Sequence, residues 1–339
     1  MKLGAIKAAA LIMAVAFGSP GYAAKFDLVV QSSEPADSPL FAYWDEWANS
    51  VSNRTNGEVS IKLMPVDAVV GRLETLFAVR DGKLDGHMTS TAYFAGEDPA
   101  FGLIGDTVGA WSGAEEMQKF INFGGGREVM QEILDPYNIQ FVGAVTPGLE
   151  AFVSRVPLDG IDDLQGLRMR APEGMVTAVF KELGALPENM GLEVVTERLG
   201  NGSLDIADYS VFSNNAASGL HDVAKHPVYP GFHSMPLIEV SLNKDVWRKI
   251  STSSQNILKE SVIELATVFA DGIREKDAIA IAEARNDPSL TIHDWSPEER
   301  NRFRVVALEK WNAVTYESDL SIKVYEAVTT FLWEEGRFE

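Results

Sequence analysis

Short runs in which apolar and polar residues alternate, each followed by a stretch with apolar positions three and four apart, recur along the chain and predict strand–helix units. Residues 26–31 read as a compact strand ending in the polar loop Ser32-Ser33-Glu34-Pro35, and residues 40–51 continue with helical spacing. Thr55-Asn56-Gly57 turns the chain into a second strand, where Val59, Ile61 and Leu63 alternate before Pro65 closes it. A helix over residues 72–80, the turn Asp81-Gly82-Lys83-Leu84-Asp85 and a strand over residues 86–90 follow. Helices over residues 115–123 and 128–134 flank Gly124-Gly125-Gly126, a cap or hinge that lacks the order of a dinucleotide fingerprint. Residues 139–156 are strand-like, with a break at Thr146-Pro147-Gly148.

The second half repeats the theme. Residues 161–174 hold an acidic turn, a glycine stop, and a short run in which Leu167 and Met169 face one way and Arg168 and Arg170 the other. Helices over residues 175–183 and 192–199, the turn Asn201-Gly202-Ser203-Leu204-Asp205, a strand over residues 206–211 and the polar loop Ser213-Asn214-Asn215 come next. The turns at 81–85 and 201–205 look like equivalent corners of two βα lobes that face each other across a cleft. Residues 237–243 alternate as a second crossover strand, and residues 244–285 carry long helical periodicity, with Ser251 to Ser254 supplying an N-cap. Ser296-Pro297-Glu298-Glu299 starts another helix, and Trp311 and Trp333 are expected to pack in the core from C-terminal helices. The expected fold is therefore α/β and two-lobed, with a ligand cleft, crossing hinge strands and a long lobe-spanning helix. Lobe 1 takes residues 24–148 plus 237–265, lobe 2 takes 149–236 plus 266–295, and residues 296–339 pack on both.

Composition narrows the function. A chain of 339 residues, 46% hydrophobic, can bury a large core and fits two lobes better than one. It has no cysteine, which excludes disulfides, thiolate metal sites and cysteine nucleophiles. Lys2 and Lys7 lead an apolar run over residues 8–17, followed by a break and by small residues up to Ala23; this predicts a secretory signal peptide over residues 1–23 and a periplasmic mature protein. No later run is long and apolar enough to predict a membrane span. The formal net charge of −20 argues against nucleic acid and direct lipid binding, both of which need a positive face.

Signatures of hydrolases, kinases and metalloproteases are missing, and the five histidines have no recognised metal spacing. Arg170 stands out, because a guanidinium at the end of a strand offers a planar fork for a carboxylate; on pattern alone an edge-strand arginine in water or in a structural ion pair is the commoner case. Glu150, Asp208 and Glu239 lie near the predicted lobe junction and suit a hard cation, an amine or a hydroxyl, or else plain structural hydrogen bonds. His233 borders the second crossover, and Tyr93 follows a predicted strand end, where it is either a ligand contact or a core aromatic.

The order of these elements resembles the periplasmic solute-binding proteins of tripartite ATP-independent periplasmic (TRAP) transporters. The residues that carry the resemblance are those from Leu76 to Gly86, from Asp163 to Arg170 and from Gly202 to Asp208, with the strand ending in Leu242-Asn243. It implies that Arg170 forms a bidentate pair with a ligand carboxylate and that two lobes close on the solute. The stretch from Ala95 to Phe101, the three glycines at 124–126 and Tyr229-Pro230-Gly231-Phe232-His233 are similar to landmarks of the 2-oxo-acid and lactate binders. That subgroup holds its acid with a calcium or sodium ion through a Glu-Trp pair and a later glutamate. Here Asp208-Tyr209 and Ser234 stand in those places, so any ion falls to Glu150 and Asp208.

The resemblance thus implies a non-catalytic receptor for a small organic acid, a monocarboxylate with polar substituents, that delivers it to membrane subunits. No cofactor is expected beyond a possible calcium or sodium ion. Arg170, Glu150, Asp208, Tyr209, Asn214, Tyr93, Ser90, Glu34 and His233 are the expected ligand-binding residues. Rival readings are a receptor for a zwitterionic solute or aromatic acid, and a secreted enzyme acting on a small carboxylate.

Overall fold

The computed structural model describes residues 25–337, so the expected leader at 1–23 lies outside the described residues. Among the described residues nine strands form two sheets: β1 (Phe26–Ser32), β2 (Val59–Met64), β3 (Gly86–Ser90), β4 (Ile139–Val145), β5 (Ala151–Ser154), β6 (Arg168–Arg170), β7 (Leu186–Glu188), β8 (Ile206–Ser210) and β9 (Ile238–Asn243). The first sheet has the order β2-β1-β3-β9-β4, with β1 parallel to β2 and β3 and with β9 antiparallel to both its neighbours. The second has the order β5-β8-β6-β7, in which only β5 runs antiparallel to its neighbour. The chain thus leaves the first sheet after β4 and returns to it at β9.

A third connection is the helix Thr252–Asn286, whose 35 residues reach roughly 50 Å at 1.5 Å per residue. Ser251 caps it by accepting from Ser254 N at 3.3 Å. Its first half buries Val262, Leu265 and Phe269 against Trp44 and Trp47 beside the first sheet. Its second half packs Ile281 and Ala284 on Ala151 and Phe212 beside the second, and Asp277 accepts from Ser213 N at 2.7 Å. The C-terminal helices Pro297–Val314 and Asp319–Glu334 place Phe303, Trp311, Val328 and Phe331 in a core shared with residues of both sheets. None of the described helices is long and apolar enough to cross a membrane.

The two corners are equivalent in atomic detail. Asp85 N donates to Val29 O at 2.9 Å while its Oδ2 accepts from Val29 N at 2.8 Å. Asp205 N donates to Arg168 O at 2.9 Å and its Oδ2 accepts from Arg168 N at 2.9 Å. Gly82 and Gly202 both take left-handed φ, 73° and 80°, which lets the helix end and the chain drop into the next strand. Arg168 in β6 therefore matches Val29 in β1, and two residues on, Arg170 matches Gln31, whose amide is spent on the backbone of Val69 and Val70. The same corner architecture leaves one strand end inert and the other charged.

Two expectations are corrected, and one strand was not foreseen. The polar stretch at 213–215 is part of the helix Phe212–Ala217, because Asn215 Nδ2 donates to Ala151 O and Ser210 O, both at 2.9 Å, and its polarity serves packing. Trp333 is 69% exposed, on the outer face of its helix, whereas Trp311 is 1% exposed as expected. The short strand β7, which contains Pro187, escapes sequence reasoning because it exists only by pairing with β6. Of the three glycines at 124–126, Gly124 caps the end of one helix, Gly125 caps the start of the next and Gly126 opens it.

Candidate functional site

β6 and β8 lie side by side, with Arg170 paired to Ala207 in register, so Arg170 meets the Asp208-Tyr209 end of β8. Its Nη1 donates to Asp208 O, its Nε to Met190 O at 3.3 Å, and its guanidinium lies 4.9 Å from the centroid of the Tyr209 ring. These contacts orient the fork without neutralising it: among the described residues no carboxylate forms an ion pair with Arg170. The structural ion pair instead falls to Arg168, bound twice to Asp205 at 2.6 and 2.8 Å.

Beside the guanidinium sits an acid cluster, half-buried at Glu150 and buried at Asp208 and His233. Glu150, Asp208 and His233 each offer an atom within 4.8 Å of the others. His233 Nε2 donates to Asp208 Oδ1 at 2.9 Å, and its ring stacks on Phe152 at 4.2 Å. Asp208 and His233 are fully buried, and Asp208 Oδ2 has no hydrogen-bond partner among the described residues. Burial, and then the neighbouring Asp208 and Asp106, hold the Glu150 carboxyl well above the usual range, with Arg170 opposing. Burial also works against the Asp208 charge, but His233 and Arg170 outweigh it and leave its pKa lowered. The two carboxyls are thus driven apart, Glu150 toward its neutral form and Asp208 toward its anion.

Asp106 backs this cluster and was missed in the sequence, where the only signal is a lone acid inside the apolar run 99–111. Ser234 Oγ donates to its Oδ2 at 2.5 Å and Met235 N to its Oδ1 at 3.2 Å. Burial pushes its pKa from 3.8 up to about 6. The stability Asp106 contributes is therefore full below pH 3.8 and is lost as pH climbs through about 6. That loss amounts to roughly 3 kcal/mol, at about 1.4 kcal/mol per pH unit over the shift. Asp106→Asn is expected to overtake the wild type in urea unfolding above pH 6, with the advantage gone near pH 4; an advantage that is constant with pH contradicts this.

Across from these groups, Glu34 follows β1, and burial raises its pKa against a 2.7 Å hydrogen bond from Ser38 Oγ and the charge of Arg72. Arg72, the second residue missed, lies 5.6 Å over the Tyr93 ring. Tyr93 is 38% exposed, and Ser90 closes β3. Glu34, Glu150 and Arg170 all act on the half-buried Tyr209 phenol, which links the two sides. Asn214 lies one helical turn beyond, its Nδ2 donating to Ser210 Oγ at 3.2 Å. Glu239 is not brought to this group. It is spent inside the first sheet, accepting from Ser241 Oγ at 2.7 Å and lying 3.7 Å from His87 Nε2.

Comparison with known proteins gives the family and the fold. A crystal structure of a TRAP periplasmic solute-binding protein from Rhodobacter sphaeroides, in an apo open state, is 45% identical, covers 91% of this chain and 98% of its own, and superposes with a TM-score of 0.84. A TRAP periplasmic solute-binding protein from Colwellia psychrerythraea, solved with calcium and pyruvate, shares the fold at 18% identity, 92% and 95% coverage and a TM-score of 0.80. A solute-binding protein of Roseobacter denitrificans is 21% identical over 217 residues; the match spans 64% of this chain and 66% of that protein's length. The family and these structural neighbours are receptors, which sets aside the enzyme reading. The family profile for bacterial extracellular solute-binding proteins, family 7, matches residues 30–318, and the chain belongs to that family.

Proposed function

We propose that this receptor captures, in the periplasm, a small organic monocarboxylate bearing a hydroxyl, oxo or amino group and delivers it to the membrane subunits of a TRAP transporter. The support for the reading is an Arg170 guanidinium, oriented by Met190 O and the Tyr209 ring and with no ion pair among the described residues, beside the Glu150–Asp208–His233 cluster. The guanidinium takes the carboxylate through two parallel hydrogen bonds. Protonated Glu150 donates to an oxo or hydroxyl oxygen, and Asp208 accepts from a hydroxyl or ammonium. A second carboxylate on the solute meets the buried Asp208 and Asp106 behind the half-buried Glu150, which selects against dicarboxylates. The landmarks shared with 2-oxo-acid and lactate binders favour that subgroup. A thermal-shift screen of lactate, glycerate, pyruvate and small zwitterions against succinate and malate tests this. Shifts from monoacids are expected; tight succinate or malate with inert monoacids overturns the reading.

The same residues suit a hard cation accompanying the acid. Oxygen donors from Glu150 and Asp208, with the orphaned Asp208 Oδ2 among them, match calcium or sodium, while His233 stays on Oδ1 to orient Asp208. Such an ion supplies positive charge to the solute's oxygens. Because it displaces the Glu150 proton, its binding tightens as pH rises. With lactate present, calcium is expected to raise Tm more at pH 8 than at pH 6, and Asp208→Asn is expected to abolish the effect; equal shifts in the variant reject the site.

A further inference from the structure

Along the two crossover segments that join the sheets, residues 146–150 and 211–237, lies a cavity of about 360 Å³ lined by Trp111, Leu149, Phe232, Arg300, Arg304 and Arg337. Three guanidiniums around one cavity are unusual in a chain of net charge −20, and their partners differ. Arg300 pairs with Asp294 at 2.8 Å and holds the carbonyls of Trp295, Gly231 and Pro230 at 2.9 to 3.1 Å. Arg337 pairs with Glu116 at 2.7 Å and donates to Ser112 Oγ at 2.7 Å. Arg304 has neutral acceptors only, Gly109 O at 2.9 Å and Asn301 Oδ1 at 3.0 Å, and no ion pair among the described residues. It is half-buried, and burial together with the charges of Arg337 and Arg300 disfavours its cation, with Glu116 countering. Leaving a desolvated charge without a counter-charge is costly, so an anion has something to gain here.

A second donor points the same way. Trp111 is 4% exposed, lines the cavity, and its indole N–H has no acceptor among the described residues. Buried indole N–H groups normally find one. Its ring, Leu149 and Phe232 give the cavity an apolar wall. A cation, an unused N–H donor and an apolar wall recognise a carboxylate with a hydrocarbon body. We propose that this cavity is a second ligand site, taking a small organic carboxylate with an apolar body whose anion pairs with Arg304. Leu149 and Phe232 line it while the next residues, Glu150 and His233, belong to the Arg170 cluster, so the two sites share the crossover segments as a common wall.

The test uses benzoate on the full-length mature protein carrying Arg170→Ala, which removes the first site's anchor and so separates the two readings. Benzoate is expected to raise Tm and alter tryptophan fluorescence in this background, and adding Arg304→Gln is expected to weaken binding about tenfold or more. No benzoate response with Arg170→Ala, a response indifferent to Arg304→Gln, or an equal response to chloride overturns the proposal. Should the double variant fail to fold, wild-type crystals soaked in para-bromobenzoate decide: an anomalous bromine peak beside Trp111 and Arg304 is expected, and its absence refutes the site.

Discussion

Arg170→Ala weakens solute binding about 100-fold or more, the expected result of removing one partner from a desolvated, hydrogen-bonded charge pair worth about 2–5 kcal/mol. Arg170→Lys recovers only part of this, since an ammonium keeps the charge but loses the fork. The fold survives both changes, because Arg170 contacts only two backbone carbonyls and the Tyr209 ring and supports no buried carboxylate through an ion pair. Calorimetry with the best solute of the screen, alongside circular dichroism, separates affinity from folding. Unchanged affinity would remove Arg170 from the site, and with it the main support for carboxylate capture.

Gly231→Ala strikes the same site from behind. A Cβ at this position would lie 2.1 Å from Glu150 O and 3.0 Å from Leu149 Cβ, so the two crossover segments cannot keep their present spacing. They are tied at this point: Glu150 N donates to Ser234 O at 2.9 Å, and Arg300 Nη1 donates to Gly231 O at 3.0 Å. Backbone against Cβ has no rotamer to yield, which places the cost near the top of the overpacking range, about 3 kcal/mol, with Tm lowered by roughly 5 °C. Binding falls as well, since Glu150 moves with its carbonyl. Gly96→Ala is the matched control, with nothing within 4 Å of the added Cβ, and is expected to unfold in urea like the wild type. If the two variants denature alike, the close approach at Gly231 is not a constraint on the crossover.

Most of the architecture was legible because it rests on local chemistry. The corners at 81–85 and 201–205 share a glycine in left-handed φ and an aspartate that closes on the upstream strand, and both ingredients are visible as letters. The caps at Ser251 and Ser296 were visible for the same reason, since each side chain satisfies amides a few residues away. Periodicity failed where long-range pairing overrides local preference: β7 forms on β6 despite its proline, and the polar letters at 213–215 are helical because Asn215 reaches back to β5.

The candidate site divides along the same line. Arg170 could be singled out from its place at a strand end, but its local pattern is shared by Arg168, and neither residue's letters reveal which one is neutralised. Asp205 takes Arg168 through the corner that also pairs their backbones, while Arg170 forms no ion pair among the described residues. Asp106, more than 100 positions from its hydrogen-bond partners Ser234 and Met235, has no local signature at all. Glu239 also stood out in the sequence, yet it lies on the strand that places it beside His87, in the other sheet. Residue order is enough to specify strands, corners and caps, whose partners are near in the chain. Which acid keeps its charge, which holds a proton and which arginine stays free depend on burial and on partners that meet only when the chain folds, and these the tertiary structure alone decides.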